Sequence, residues 1–118
     1  MGLLFTRSSN VKLISVQETN EKAWSDTNFV LLDVRTPQEF SEGHLANAIL
    51  ILIQELSQRL GELAPYKDKK VIAYCRTGNR SGRAAELLGT KGFTVFNMEG
   101  GILKWKEARL PVVDEETK

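Results

Sequence analysis

Residues 71–88 read VIAYCRTGNRSGRAAELL, and this stretch decides the fold. Residues 71–74 form a continuous apolar run, which is typical of a strand buried on both faces. From residue 81 onward the apolar side chains recur at helical spacing, which predicts a helix over residues 81–91. A strand, a short loop opening with Cys75 and then a helix form the repeating unit of an α/β domain.

The same alternation continues in both directions along the chain. Apolar runs predict further strands at residues 11–14, 29–32, 48–51 and 94–98. Capping residues and helical spacing predict helices at residues 15–24, 54–63 and 101–108, and a helix start at residues 36–40. Because the strand-like runs do not alternate with polar residues, we expect a five-stranded, mostly parallel sheet. The prediction is one domain over residues 1–118, with its core at about 11–113 and flexible ends at 1–10 and 114–118.

Composition narrows the function classes. The formal net charge of +1 gives no strongly basic surface for a nucleic acid. No apolar run reaches the roughly 18 residues that a membrane-spanning helix needs. A single cysteine cannot form an internal disulfide, which fits a reducing compartment. We therefore expect no nucleic-acid partner, no membrane and a cytoplasmic location.

Three strand ends carry the residues that could do chemistry. In parallel α/β sheets, ligands bind beyond the carboxyl ends of the strands. Cys75 follows one predicted strand, Asp33 and Arg35 follow another, and residues 98–101 follow a third. We therefore expect these loops to lie together and to line one ligand-binding site.

The loop that begins at Cys75 has the composition of a reactive-cysteine site. A helix N-terminus and neighbouring arginines lower a cysteine pKa and favour the nucleophilic thiolate. Glycine and asparagine tolerate left-handed backbone, so this loop can turn successive N–H groups towards an anion. The predicted substrate-binding residues are Arg76, Thr77, Gly78, Asn79, Arg80 and Ser81. The alternative is a buried cysteine that only fills space, with its arginines solvated.

Other residues near this expected binding site are predicted to have supporting roles. Arg35 lies four residues before Glu39, and this spacing favours an ion pair that orders the loop over direct contact with substrate. His44, the only histidine, is expected to serve a turn rather than to act as a general base. Gly100 and Gly101 are expected to allow close approach of the backbone beside the Cys75 loop.

Three stretches together resemble the rhodanese family of sulfurtransferases. CRTGNRS, from Cys75, resembles the active-site loop of single-domain members, and LLDVRTPQEFSEGHLANA, from Leu31, resembles the signature around the second strand. FNMEGGILKWKEARLPV, from Phe96, resembles the C-terminal signature. The likeness covers about residues 11–113.

The resemblance implies a three-layer fold with helices on both faces of the sheet. It also implies that Cys75 takes a sulfane sulfur from a small anionic donor such as thiosulfate and forms a persulfide. The sulfur then passes to a thiophilic acceptor such as cyanide, a thiol or a sulfur carrier. No metal or organic cofactor is expected.

Two other functions remain open. Cysteine phosphatases and arsenate reductases use the same fold, but with a C-x5-R loop, whereas Cys75 and Arg80 give C-x4-R. A shorter loop favours a smaller sulfur-containing anion. The other alternative is a binding module without turnover, and the presence of Cys75 argues against it.

One segment departs from the family pattern. Asn47, Leu50 and Leu52 stand where the family usually has glycine, asparagine and proline. Residues 48–53 are consequently apolar throughout. We expect a monomer or a weak homodimer, with this segment as the candidate contact.

Overall fold

The computed structural model describes residues 11–114. Its strands are β1 (Lys12–Ile14), β2 (Phe29–Asp33), β3 (Ile49–Leu50), β4 (Lys70–Tyr74) and β5 (Thr94–Met98). Its α-helices are α1 (Val16–Ser25), α2 (Pro37–Glu42), α3 (Asn79–Thr90) and α4 (Gly101–Glu107). The predicted alternation of strands and helices is confirmed.

The five strands form one sheet in the order β1-β5-β4-β2-β3, and every pairing is parallel. One face carries a core built with α3 and the segment between β3 and β4, for example Leu56, Leu63 and Leu88. The other face carries a core built with α1 and α4, including Val16 and Trp105. Apolar strands that are covered on both faces explain why their sequences do not alternate.

Local capping signals place the helix starts. The Ser15 side chain accepts a hydrogen bond from Glu18 N and begins α1. Thr36 and Glu39 form a reciprocal capping box that begins α2, with Pro37 in its first turn. The helix α3 begins at Asn79, two residues earlier than predicted, after Gly78 at φ +117°.

The predicted α-helix over residues 54–63 is wrong. This segment forms two 3₁₀ helices, Ile53–Gln58 and Leu60–Tyr66. Neither has a side-chain cap, and the second contains Pro65, which lacks the N–H that a longer helix would use. The predicted apolar face is nevertheless correct, because Leu56 and Leu63 are fully buried.

The apolar segment 48–53 contributes to the interior of its own chain. Ile51 is fully buried, and Ile49 and Ile53 pack against the α3-side core. The strand β3 is only two residues long, shorter than predicted.

The expected flexible ends lie outside the described residues, apart from Asp114. Among residues 11–114, no helix combines the length and the apolar character that crossing a bilayer requires.

Candidate active site

Cys75 lies directly after β4, the central strand of the sheet, and before the first turn of α3. Its side chain is buried, with 1% exposed. Residues 75–78 therefore form a short bend that folds the helix start back over the sulfur. Arg76, Thr77 and Asn79 lie on the exposed side of this bend.

Hydrogen-bond donors surround the sulfur. Cys75 Sγ accepts from the backbone N–H of Gly78 at 3.1 Å and of Ser81 at 3.4 Å. The Ser81 hydroxyl lies 3.4 Å from the same atom. The structure thus brings Gly78 and Ser81 of the predicted loop together around Cys75, at the N-terminus of α3, where N–H groups favour an anion.

These donors shift the balance between thiol and thiolate. Burial raises the pKa of the Cys75 thiol, but hydrogen bonds from the Ser81 hydroxyl and from the backbone of Ser81, Gly78 and Thr77 together lower it below its ordinary value. A lower pKa increases the fraction of nucleophilic thiolate. The arrangement suits a sulfur that carries negative charge.

The helix α4 supports the Cys75 bend from the side. Ile102 N donates to Cys75 O at 2.9 Å, and Leu103 N donates to Arg76 O at 3.2 Å. Gly101 adopts φ +64°, and a Cβ atom there would overlap the Arg76 carbonyl group. The close backbone approach expected at Gly101 is confirmed.

Asp33 and Arg35 form a buried ion pair at the end of β2. Arg35 Nη2 donates to Asp33 Oδ2 at 2.7 Å and to Gly43 O at 2.8 Å. The predicted pair between Arg35 and Glu39 is wrong, because a buried guanidinium needs a close partner and Asp33 occupies that place at the same strand end. Both residues order the loop that follows β2.

Glu39 instead pairs with Arg80. Arg80 donates from Nη1 and Nη2 to the two carboxylate oxygens of Glu39 at 2.9 and 3.0 Å. Hydrogen bonding from Arg80 is the main cause that lowers the pKa of Glu39 to about 2. Arg80 therefore lies beside the site with its charge already met by a carboxylate.

Asn97 is a site residue that sequence reasoning missed. It lies in β5 and is 8% exposed. Its Oδ1 accepts from Ser81 Oγ at 2.6 Å, and its Nδ2 donates to Gly78 O at 3.1 Å. The available signal was an amide between the apolar residues Phe96 and Met98, since a buried amide requires hydrogen-bond partners.

His44 has structural partners. Its Nδ1 donates to Phe40 O at 2.7 Å, and its ring stacks on that of Phe40 at 3.6 Å between centroids. Its backbone also pairs with that of Val113. These contacts agree with the turn role that the sequence indicates.

Two further features of residues 11–114 bear on the site around Cys75. Within residues 11–114, no group of three or more histidine, cysteine or acidic side chains is arranged to hold a metal. A groove of about 710 Å³ lies at the opposite ends of the strands, where Val11, Phe93 and Thr94 contribute to its lining. Its position separates it from the Cys75 loop.

Known proteins resemble this chain over most of its length. A sulfurtransferase from Allochromatium vinosum is 37% identical over 101 residues, which cover 84% of this chain and 92% of that protein. The thiosulfate sulfurtransferase PspE from Escherichia coli is 34% identical over 82 residues, which cover 70% of this chain and 76% of that protein. The crystal structure of a rhodanese-related protein from Thermoplasma volcanium superimposes with a TM-score of 0.81 at 38% identity, covering 88% of this chain and 99% of that one.

The family itself follows from a match to the whole domain. The model of the rhodanese-like domain matches residues 15–108, which include all of the loop and helix elements built around Cys75. The five-stranded parallel sheet with helices on both faces agrees with the fold of the Thermoplasma protein. The chain therefore belongs to the rhodanese-like family.

Proposed function

We propose that the protein is a sulfurtransferase in which Cys75 takes a sulfane sulfur from thiosulfate or a similar anionic donor and passes it to a thiophilic acceptor. The observation that carries this proposal is the ring of donors around Cys75 Sγ, with Gly78 N at 3.1 Å and Ser81 N at 3.4 Å. Kinship with proteins named sulfurtransferase supports the same reaction.

The first half of the reaction would form a persulfide. The Cys75 thiolate attacks the outer sulfur of thiosulfate and forms an S–S bond. The bond between the two thiosulfate sulfurs breaks, and its electron pair leaves with sulfite. Charge balances, since a monoanion and a dianion give a persulfide monoanion and a sulfite dianion.

The second half would return the thiolate. A nucleophilic acceptor attacks the outer sulfur, and the electron pair of the S–S bond returns to Cys75. Cyanide, a thiol or a sulfur-carrier protein each has the required chemistry. Neither half requires a metal or an organic cofactor, and a reducing cytoplasm would keep Cys75 as a free thiol.

The donor site would serve an anion at each step. Backbone N–H groups of the α3 N-terminus lie where charge develops on sulfur, and such fixed dipoles stabilise an anion without reorganisation. Arg76 is exposed on the bend, where its charge can attract an arriving donor. The predicted substrate-binding residues 76–81 thus divide into inner donors and an exposed outer side.

The test is intact-mass spectrometry after thiosulfate treatment without reductant. Because Cys75 is the chain's only thiol, one added sulfur per molecule is expected, and cyanide should remove it as thiocyanate. A Cys75→Ser variant should neither gain the sulfur nor form thiocyanate. Transfer by that variant at the parent rate would overturn the mechanism.

The alternatives predict different outcomes in parallel assays. A phosphatase or an arsenate reductase would need a free guanidinium for its oxyanion, whereas Arg80 is bonded to Glu39 at 2.9 and 3.0 Å. Substantial hydrolysis of para-nitrophenyl phosphate, or reduction of arsenate with a thiol, would reverse this ranking. A pure binding module would show neither persulfide nor turnover although Cys75 is intact.

A further inference from the structure

The Ser81 hydroxyl has one proton and two neighbours that could accept it. Asn97 Oδ1 lies 2.6 Å from Ser81 Oγ, and Cys75 Sγ lies 3.4 Å from it. A hydroxyl can donate only one hydrogen bond at a time. The two acceptors therefore compete for this proton.

The orientation of Asn97 is fixed by its other contact. Asn97 Nδ2 lies 3.1 Å from Gly78 O, and a carbonyl oxygen can only accept. The amide nitrogen must then face Gly78, which leaves Oδ1 facing Ser81. Since an amide oxygen cannot donate, the 2.6 Å contact requires the Ser81 hydroxyl to donate to Asn97.

The charge on Cys75 determines whether the Ser81 hydroxyl donates to Asn97 Oδ1 or to Cys75 Sγ. Opposite a neutral sulfur, the Asn97 oxygen is the stronger and closer acceptor. A thiolate is a charged acceptor, and hydrogen bonds to charged groups are worth about twice those between neutral groups. Rotation about the Ser81 Cβ–Oγ bond is enough to exchange one acceptor for the other.

We infer that Asn97 is a positioning residue, which holds the Ser81 hydroxyl while Cys75 Sγ is uncharged and yields it when the thiolate forms. The inference rests on the proposed function, because Sγ alternates between these states there. In the persulfide the charge lies on the outer sulfur, so the hydroxyl returns to Asn97. When an acceptor removes the outer sulfur, the hydroxyl turns back to the departing thiolate.

The charged groups at this end of the sheet include two ion pairs and the exposed side chain of Arg76 on the Cys75 bend. Arg80 of α3 is held by Glu39 of α2, and Asp33 at the end of β2 is held by Arg35. Neither pair contacts the Ser81 hydroxyl through a hydrogen bond among those of the described chain. A change at Asn97 should therefore reach Cys75 through Ser81 or through the Gly78 backbone.

A double-mutant cycle separates these two routes. Asn97→Leu removes the competing acceptor, so the Ser81 hydroxyl should bond the thiolate without giving up another partner. The expected result is a rise in the thiolate-to-thiol ratio of about 3- to 10-fold, the order of one net hydrogen bond. In a Ser81→Ala background the same change should have no effect. The measurement is the pH dependence of Cys75 alkylation by iodoacetamide, which does not depend on sulfur transfer.

Two results would overturn the inference. One is a pH profile of Cys75 alkylation in Asn97→Leu that equals that of the parent protein. The other is a shift of this profile that is equally large with and without the Ser81 hydroxyl, which would mean that Asn97→Leu acts by displacing the loop through Gly78. Urea unfolding of each variant identifies loss of the fold. If Asn97→Leu does not fold, the NMR resonances of the Asn97 side-chain amide in the parent protein decide. The chemical shifts of these resonances should change with pH at the midpoint of Cys75 alkylation, and in Ser81→Ala they should no longer do so. A pH-dependent change that persists in Ser81→Ala would contradict the switch.

Discussion

Arg80 shows how one residue can match a sequence motif and yet act differently from what the motif suggests. The sequence predicts that the positive charges of Arg76 and Arg80 favour the thiolate and help to bind an anionic substrate. In the structure, the Arg80 guanidinium is bonded at both terminal nitrogens to Glu39, and both side chains are a little over a quarter exposed. At Cys75, the positive charge of Arg80 is therefore offset by the negative charge of the adjacent Glu39 carboxylate.

Removing one partner of this pair should disturb the site more than removing both. Arg80→Ala leaves the Glu39 carboxylate unpaired, so it should raise the Cys75 pKa and the Michaelis constant for thiosulfate. We expect effects of up to about fivefold, which is the equivalent of about 1 kcal/mol for a partly exposed pair. Arg80→Ala combined with Glu39→Gln should restore most of the parent behaviour. Alkylation profiles and steady-state kinetics at fixed ionic strength provide the measurement.

A free-cation role for Arg80 predicts a different pattern. The double variant would then stay as impaired as Arg80→Ala alone. Arg83 is exposed in α3 and forms no ion pair within residues 11–114, so Arg83→Ala is the matched control with little expected effect.

At the scale of elements, Glu39 joins the first turn of α2 to the first turn of α3. Its carboxylate accepts from Thr36 N at 3.0 Å within the capping box, as well as from Arg80. One side chain therefore orders the start of α2 and fixes its distance from the helix that covers Cys75.

This link should make stability depend on pH. Because the pKa of Glu39 is lowered from 4.5 to about 2, its contribution is fully present above pH 4.5 and is lost as the pH falls towards 2. Glu39→Gln keeps the capping geometry but loses the charge. We expect it to lower the free energy of unfolding at pH 7 by about 1–2 kcal/mol, a deficit that shrinks between pH 4.5 and 2.

Urea unfolding across that pH range measures the difference. The control is Glu42→Gln, an exposed position on the same helix, where a change within about 0.5 kcal/mol is expected. A deficit that stays constant down to pH 2 would show that the ionic contact contributes nothing.

The packing of α4 on the Cys75 bend gives a second prediction at this scale. Gly101→Ala places a methyl group against the Arg76 carbonyl, at a φ of +64° that disfavours side chains. We expect a loss of about 1–3 kcal/mol in the free energy of unfolding, together with slower alkylation of Cys75. Gly89→Ala is the matched control: Gly89 lies within α3, and a Cβ atom there would meet nothing within 4 Å. It should raise stability by about 0.5–1 kcal/mol.

At the scale of the whole molecule, the sequence predicts most of the architecture because its signals are local. Uninterrupted apolar runs locate strands such as β2 and β4, and capping residues such as Ser15 and Thr36 locate helix starts. Side-chain pairs are different. The spacing rule for neighbours four residues apart suggests a contact within one helix, whereas Glu39 bonds Arg80, 41 residues away.

The same limit applies to the inner part of the site. Cys75 could be singled out from its loop, but the Ser81–Asn97 contact depends on how α3 lies against β5. For residues 54–63, the sequence predicts which side chains are buried but not the type of helix. The apolar face of this segment was predictable from spacing, but its 3₁₀ geometry depends on missing caps and on Pro65.

The oligomeric state is a further prediction at this scale. The apolar segment 48–53 suggested a homodimer contact, but Ile51 is fully buried and Ile49 and Ile53 pack on the core of their own chain. The large exposed apolar side chains of the described residues are instead Leu13, Trp24, Leu103 and Val112, which lie in other segments. We therefore expect a monomer in sizing chromatography up to high concentration. A dimer that Leu50→Asn disrupts would contradict this expectation.

The order of strands in the sheet has a consequence for how the protein is made. The strand β1 pairs only with β5, so Lys12 meets Phe96, a residue roughly eighty positions later in the chain. Contacts of such large sequence separation form late and slow the folding of a domain. During synthesis the sheet stays open until β5 has left the ribosome, and Asn97 reaches Ser81 only at that moment. Until then the Ser81 hydroxyl lacks its Asn97 partner, so the complete hydrogen-bond network around Cys75 can form only after β5 has joined the sheet.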